Sequence, residues 1–351
     1  MSEKISKIIN ELNNKNFKNA LKLSEEYSNN EDLHIINNLK GIIFINLKEK
    51  KKAIEYFKKS LNFKANYLEA YSNLANVYFS NKDVLKSIET IKKGLKYDEK
   101  NKILNFNLAF FLSESFQYSK AIQQYRKVIN LNYKKEMALN NIGNIYIKEK
   151  NYLKAKKIFL ECLKINPTNY LTINNLIRSL ILKRDFIEAT EYQNKSDKLK
   201  IKNSIYFINK AELFFFYKKY DEAINILKEF CEKNKHDIGA NISLSLIYSN
   251  LGKSEKSYKL IGDIYKLNPY NNNLSLIQSM NLLKIGNFKE GWKLYDKSLQ
   301  IKNDYYSKIP FWKGEDIKDK KILVYEDQGI GDSIQFSKFL FSLKNLCSDI
   351  R

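Results

Sequence analysis

Small residues recur along this chain with a fixed beat. Ala53, Ser87, Ala121, Ala155, Ala189, Ala223, Ser257 and Gly291 stand 34 positions apart, with Ala20 one residue out of phase at the N-terminal end. Four residues after each comes a bulky group, Phe57, Ile91, Tyr125, Phe159, Leu227, Ile261 and Tyr295, with Gln193 the exception. A spacing of four places both positions on one helix face. Upstream in the unit, Tyr71, Leu74, Ala75 and Tyr78 are repeated as Leu139, Ile142, Gly143 and Tyr146. Their spacing describes the inward stripe of a second helix. Each unit therefore reads as a helical hairpin whose apolar faces can be covered only by the next unit, which is the logic of a quasi-one-dimensional array.

These columns resemble the tetratricopeptide repeat. In that family a small residue sits inside the second helix, a Gly or Ala lets the two helices approach, and Pro stops the second helix. Pro167 and Pro269 stand at the stop position here, where Ala65, Glu99, Tyr133, Ile201 and Lys235 stand in other units. The resemblance covers residues 1–303, about nine hairpins, of which the first and the one carrying Gln193 and Ser196 are the least typical. It implies an all-α fold, a right-handed superhelical α–α solenoid, and protein or peptide binding in its concave groove.

The first helix of each unit faces that groove, and one of its columns is polar. Asn73, Asn107, Asn141, Asn175 and Asn209 are 34 apart, and the row ends at Leu39 and Ser243. The neighbouring apolar column, 74, 108, 142 and 176, is broken by Lys210. A row of amides offers a donor and an acceptor at each step, which matches the repeating groups of an extended peptide. Similarity to the repeats of the O-GlcNAc transferase family implies peptide-backbone binding by this row. The other reading is that Asn is repeat consensus and satisfies local backbone. Four consecutive aromatics, Phe214 to Tyr217, point round a whole helix, so core packing is expected for most of them.

The period stops after Gly291, Trp292, Tyr295 and Asp296. Residues 304–320 read as a linker, and residues 321–351 as a short, incomplete α/β piece. KILVYE at 321–326 predicts a buried strand, DQGIGDS a Gly-containing turn, and IQFSKFLFSL a helix. Gly329, Gly331 and Ser333 would form an anion-binding turn at the helix start. The stretch from Trp312 to Leu343 resembles the opening of a glycosyltransferase-like domain related to the ADP-heptose:lipopolysaccharide heptosyltransferases. By that resemblance Asp332 is the candidate catalytic base; by helix chemistry it is equally an N-terminal cap. A two-domain transferase of this kind needs roughly 300 residues after its first strand, and eighteen follow Ser333.

Composition changes this picture little. Lys and Arg outnumber Asp and Glu 61 to 39, a net charge of +22, yet only Arg126, Arg178, Arg184 and Arg351 are arginines. Phosphate and base-edge recognition favours the guanidinium, so a basic nucleic-acid-binding solenoid is the weakest reading. Cys162, Cys231 and Cys347 are far apart and His34 and His236 stand alone, so no disulfide frame, metal site or cofactor is expected. No apolar run approaches the roughly 20 residues of a membrane span, and a reducing cytoplasm fits the thiols. The sequence thus predicts a protein- or peptide-binding scaffold that brings substrate to a glycosyltransferase domain, without activity of its own. The alternative is a fragment of an active bacterial glycosyltransferase, heptosyltransferase-like or O-GlcNAc-transferase-like.

Overall fold

The computed structural model describes residues 3–27, 30–269, 271–299, 310, 312, 314–324 and 337–350. The described chain falls into two compact units, Met1–Lys253 and Ser254–Arg351.

The first unit is a stack of antiparallel helix pairs. They are α1 (Glu3–Asn13) with α2 (Phe17–Glu25), α3 (Leu33–Asn46) with α4 (Lys50–Phe63), and α5 (Leu68–Ser80) with α6 (Val84–Leu95). Next come α7 (Lys102–Glu114) with α8 (Tyr118–Asn130), and α9 (Lys135–Lys148) with α10 (Tyr152–Ile165). The last are α11 (Tyr170–Leu182) with α12 (Phe186–Asp197), α13 (Ser204–Phe216) with α14 (Tyr220–Lys233), and then α15 (Ile238–Asn250). Each helix packs on the next, and the first helices of successive pairs also touch, as α5 does α7 and α9 does α11. This is the neighbour-only contact pattern of a solenoid.

The small-residue column lies at the heart of each pair: Ala53, Ser87, Ala121, Ala155, Ala189 and Ala223 are fully buried. So are Phe57, Ile91, Tyr125, Phe159 and Leu227 four residues on. Both phenylalanines of this column face a glycine on the first helix. Gly41 and Gly143 face Phe57 and Phe159, and a Cβ on either glycine would come 2.5 Å from a ring carbon. Where the bulky residue gives way to Gln193, the corresponding first-helix position is the large Ile177.

The turns inside the pairs repeat as strictly as the core. Lys48, Lys82, Phe116, Lys150, Arg184, Lys218 and Gly252 all have positive φ, between 57° and 72°. Of these seven only the last is glycine, as is Gly286 (φ 83°) one repeat later, although the left-handed region costs other residues about 1–2 kcal/mol. Helix starts are fixed by Asn and Asp caps. Asn101, Asn169 and Asp237 accept from the backbone N–H of Leu104, Thr172 and Ala240 at 3.1, 3.1 and 2.8 Å.

The second unit contains α16 (Ser254–Leu267), α17 (Asn272–Lys284) and α18 (Phe288–Leu299), with α17 packed on both neighbours. Beyond them lie β1 (Lys321–Ile322), α19 (Phe339–Lys344) and β2 (Asp349–Ile350). The strands pair in parallel, Lys321 with Asp349 and Ile322 with Ile350. The strand expected over 321–326 is thus short where described, and it is not buried: Leu323 and Val324 are 39% and 43% exposed. Among the described residues it has one neighbour strand, which leaves its faces open. The aromatic run also differs from expectation. None of Phe214 to Tyr217 is fully buried, and Phe216 lies on the surface stacked on Phe186.

A candidate peptide-binding groove

The Asn column is made by α5, α7, α9, α11 and α13, each presenting one amide at the same helical position. The structure uses the donor half of four of these amides to hold the preceding pair. Asn73 Nδ2 donates to Asn38 Oδ1 at 3.0 Å, Asn107 to Ser72 Oγ at 2.9 Å, Asn175 to Asn140 Oδ1 at 3.4 Å and Asn209 to the Asn174 carbonyl at 2.9 Å. Every one of these links reaches back 35 residues, so the column is a clasp between successive first helices. Asn141 departs from the pattern and donates to Tyr125 Oη at 2.9 Å. Burial pushes that phenol well above its ordinary pKa, with the Asn141 bond opposing, so it remains a neutral partner.

Three members of the row open into one groove. Asn141, Asn175 and Asn209 line a cavity of about 550 Å³ with Ser243, the residue at which the Asn row ends. Phe110, Ile205 and Ile208 supply its apolar surface. A second hollow of about 490 Å³ shares Asn141, Asn144, Asn175 and Ile205 with it, so the two lie side by side along the same helices. Asn73 and Asn107 line neither hollow. Asn209 is fully buried, and among the described residues its Oδ1 has no hydrogen-bond partner. An acceptor left in this state is costly unless a ligand or water meets it.

Two ion pairs cross the groove between neighbouring first helices. Arg178 Nη1 donates to both carboxylate oxygens of Glu212, and Lys148 Nζ meets Glu114 at 3.1 Å. Both pairs span one repeat step. The alternation of sign at 34-residue spacing was visible in the sequence, and it is the signal by which these residues could have been found. The pairs neutralise each other, so the chain's basic excess is not concentrated here.

Lys210, which breaks the apolar column, is answered inside the fold. Its Nζ lies 2.7 Å from Asp197 Oδ2 and 3.3 Å from Tyr206 Oη, while Tyr206 and Gln193 donate to Asp197 Oδ1 at 2.8 and 3.0 Å. Burial alone would raise the Asp197 carboxyl. The hydrogen bonds from Lys210, Gln193 and Tyr206, with the Lys210 charge, outweigh it and hold the group below its usual range.

Three segments, 35–67, 68–101 and 138–169, match the family model of the tetratricopeptide repeat. They coincide with α3/α4, α5/α6 and most of α9/α10. These segments are tetratricopeptide repeats. The structure is similar to a tetratricopeptide repeat protein from Parabacteroides merdae ATCC 43184, with a TM-score of 0.62 at 15% identity over 72% of this chain and 99% of that one. It is similar also to a chain of the APC/C hetero-tetramer Cut9–Hcn1, with a TM-score of 0.52 at 14% identity, covering 76% of this chain and 52% of that chain. Among curated proteins, the Protein FlbA of Caulobacter vibrioides is 24% identical over 125 residues, 34% of this chain and 20% of its own length. The chain thus spans a fifth of that relative. Tetratricopeptide repeats in a helical solenoid support a role in protein interaction. The candidate turn Gly329, Gly331 and Ser333, and the candidate base Asp332, lie outside the described residues. Among the described residues no group of three or more His, Cys, Asp or Glu is arranged to hold a metal, and no helix is long and apolar enough to cross a membrane.

Proposed function

We propose that the first unit binds an extended protein segment along the hollow of Asn141, Asn175, Asn209 and Ser243, and that the chain is a protein-binding scaffold. The supporting observation is the division of labour within each amide. Nδ2 is spent inside the protein, and the oxygens of Asn141 and Asn175 are left to accept from peptide N–H groups. Phe110, Ile205 and Ile208 would take apolar side chains, and the Arg178–Glu212 pair would meet polar ones.

The test is a peptide selected from a displayed random library, measured by fluorescence anisotropy. Asn141→Ala with Asn175→Ala should weaken it about five- to thirtyfold, at roughly 1 kcal/mol per lost hydrogen bond. Ser243→Ala should weaken it with no change in melting temperature. Unaltered affinity in both variants would refute this reading.

We propose also that residues 321–351 open an α/β domain of glycosyltransferase-like kind to which the repeats bring substrate. The parallel pairing of β1 with β2 across α19 supports it, because parallel neighbours require a crossover of this kind. The 351-residue chain is expected to turn over no nucleotide sugar. Turnover that is abolished by Asp332→Ala would favour an active glycosyltransferase instead.

A further inference from the structure

In the first unit the turns inside the helix pairs lie at one end of the stack, because every pair is antiparallel and successive first helices pack side by side. Their tips carry Lys48, Lys82, Phe116, Lys150, Arg184 and Lys218, all exposed and all at positive φ. The turn itself needs none of these side chains. Gly252 between α15 and α16, and Gly286 between α17 and α18, make it without left-handed strain. Asn also tolerates this conformation and is abundant in the chain, yet it stands at none of the six tips. Strain kept for the sake of an exposed cation or ring points to a role outside the fold.

Apolar side chains share this edge. Leu85, Leu153 and Ile187 each follow their tip by three residues, and where Ser119 breaks that column the tip is Phe116. These four are between 66% and 77% exposed, more than any other large apolar side chain described in the first unit. Of the acids beside them, Asp83 is met by Lys86 at 2.6 Å, Asp185 by Lys183 at 3.3 Å and Glu188 by Lys156, while Glu149 stands next to Lys150. Among the described residues Lys82, Lys120, Lys150, Lys154, Arg184 and Lys218 form no ion pair.

A partner for this edge must accept aliphatic side chains and carry negative charge. Leu and Ile offer no ring on which nucleic-acid bases could stack, and Lys is depleted from protein interfaces. The headgroup layer of an anionic bilayer meets both needs. Apolar tips enter the acyl boundary while lysine stems reach back to the lipid phosphates.

We propose that the turn edge of the third to sixth pairs, α5/α6 to α11/α12, docks on an anionic lipid surface, with Leu85, Phe116, Leu153 and Ile187 as the inserted side chains. None of these residues lines the hollows of the Asn row.

The test is cosedimentation of the full chain with vesicles of phosphatidylcholine, with and without about 30% phosphatidylglycerol. Saturable binding to the anionic vesicles is expected, and little to phosphatidylcholine alone. Lys82→Gly with Lys150→Gly removes two tip cations together with their strain, so binding should fall about ten- to thirtyfold while the melting temperature rises. Leu153→Ser with Ile187→Ser should weaken binding about tenfold and leave the melting temperature unchanged. The fluorescence of Ile187→Trp should be quenched by lipids brominated on the acyl chain, beyond any quenching of Trp292 and Trp312 in the parent. Asn141→Ala with Asn175→Ala should bind vesicles as the parent does. The proposal fails if uncharged vesicles bind equally, if the glycine or serine variants bind as the parent does, if Ile187→Trp adds no quenching, or if the Asn variant loses vesicle binding. It fails equally if glycerol phosphate displaces the chain from vesicles at equal phosphate concentration, or if oligo(dT) binds with the same dependence on Leu153 and Ile187.

Discussion

Gly143→Ala tests whether the size of the first-helix residue is set by the ring beneath it. The added methyl would lie 2.5 Å from Phe159 Cζ, about 1 Å inside ordinary contact, and Phe159 is fully buried. Overpacking of this kind costs about 1–3 kcal/mol. The higher helix propensity of Ala returns about 1 kcal/mol, so the single substitution should destabilise by about 0–2 kcal/mol. Phe159→Leu alone leaves a void above Gly143 and should also destabilise. The double substitution recreates the combination this chain already has in Ala211 and Leu227, both buried at the corresponding positions. It should therefore be more stable than the sum of the singles by about 1–2 kcal/mol. Urea unfolding followed by circular dichroism at 222 nm, fitted with a nearest-neighbour repeat model, measures the cycle. Additivity within about 0.5 kcal/mol would refute the complementarity. Because Gly143 lies between Asn141 and Asn144, the single substitution should also weaken a peptide held in the hollow.

Other expectations follow from the turns, the polar cluster and the thiols. Lys82→Gly, at φ 63°, should raise stability by about 1 kcal/mol by relieving left-handed strain, and an unchanged urea midpoint would count against it. The Asp197 carboxyl is held below its ordinary range. Its contribution to stability is therefore complete above the unfolded value of about 4 and lost as pH falls through the folded value. Asp197→Asn should lower stability at neutral pH and make the acid limb shallower, and parallel pH profiles would contradict this. Burial pushes the Cys231 thiol up to about 11 and raises Cys162 as well. Cys347, which is only partly covered, should therefore react first with a thiol reagent at neutral pH; mass spectrometry of the partly labelled protein identifies the site.

The periodic columns determined the helical pairs, because a face that is apolar every 34 residues has no cover except the next copy of itself. The same columns placed the core, from Ala53 to Ala223, and the fully buried groups four residues on. They also marked the Asn row as special. What they could not assign was the direction of each amide. The choice between binding a guest and clasping a neighbour depends on how far apart successive first helices lie, which is a result of packing. The folded chain spends the donor of each amide inside the protein, on the preceding pair or on Tyr125, and it brings only Asn141, Asn175 and Asn209 of the five into the hollow. Lys210 looked like a blemish in an apolar stripe until the fold set Asp197 and Tyr206 against it, thirteen and four residues away along the chain. Gln278 occupies the equivalent position, and among the described residues its Oε1 has no hydrogen-bond partner. Likewise KILVYE carried the signal of a buried strand, but burial requires partners on both faces, and those are supplied by tertiary structure, not by the β-branched run itself.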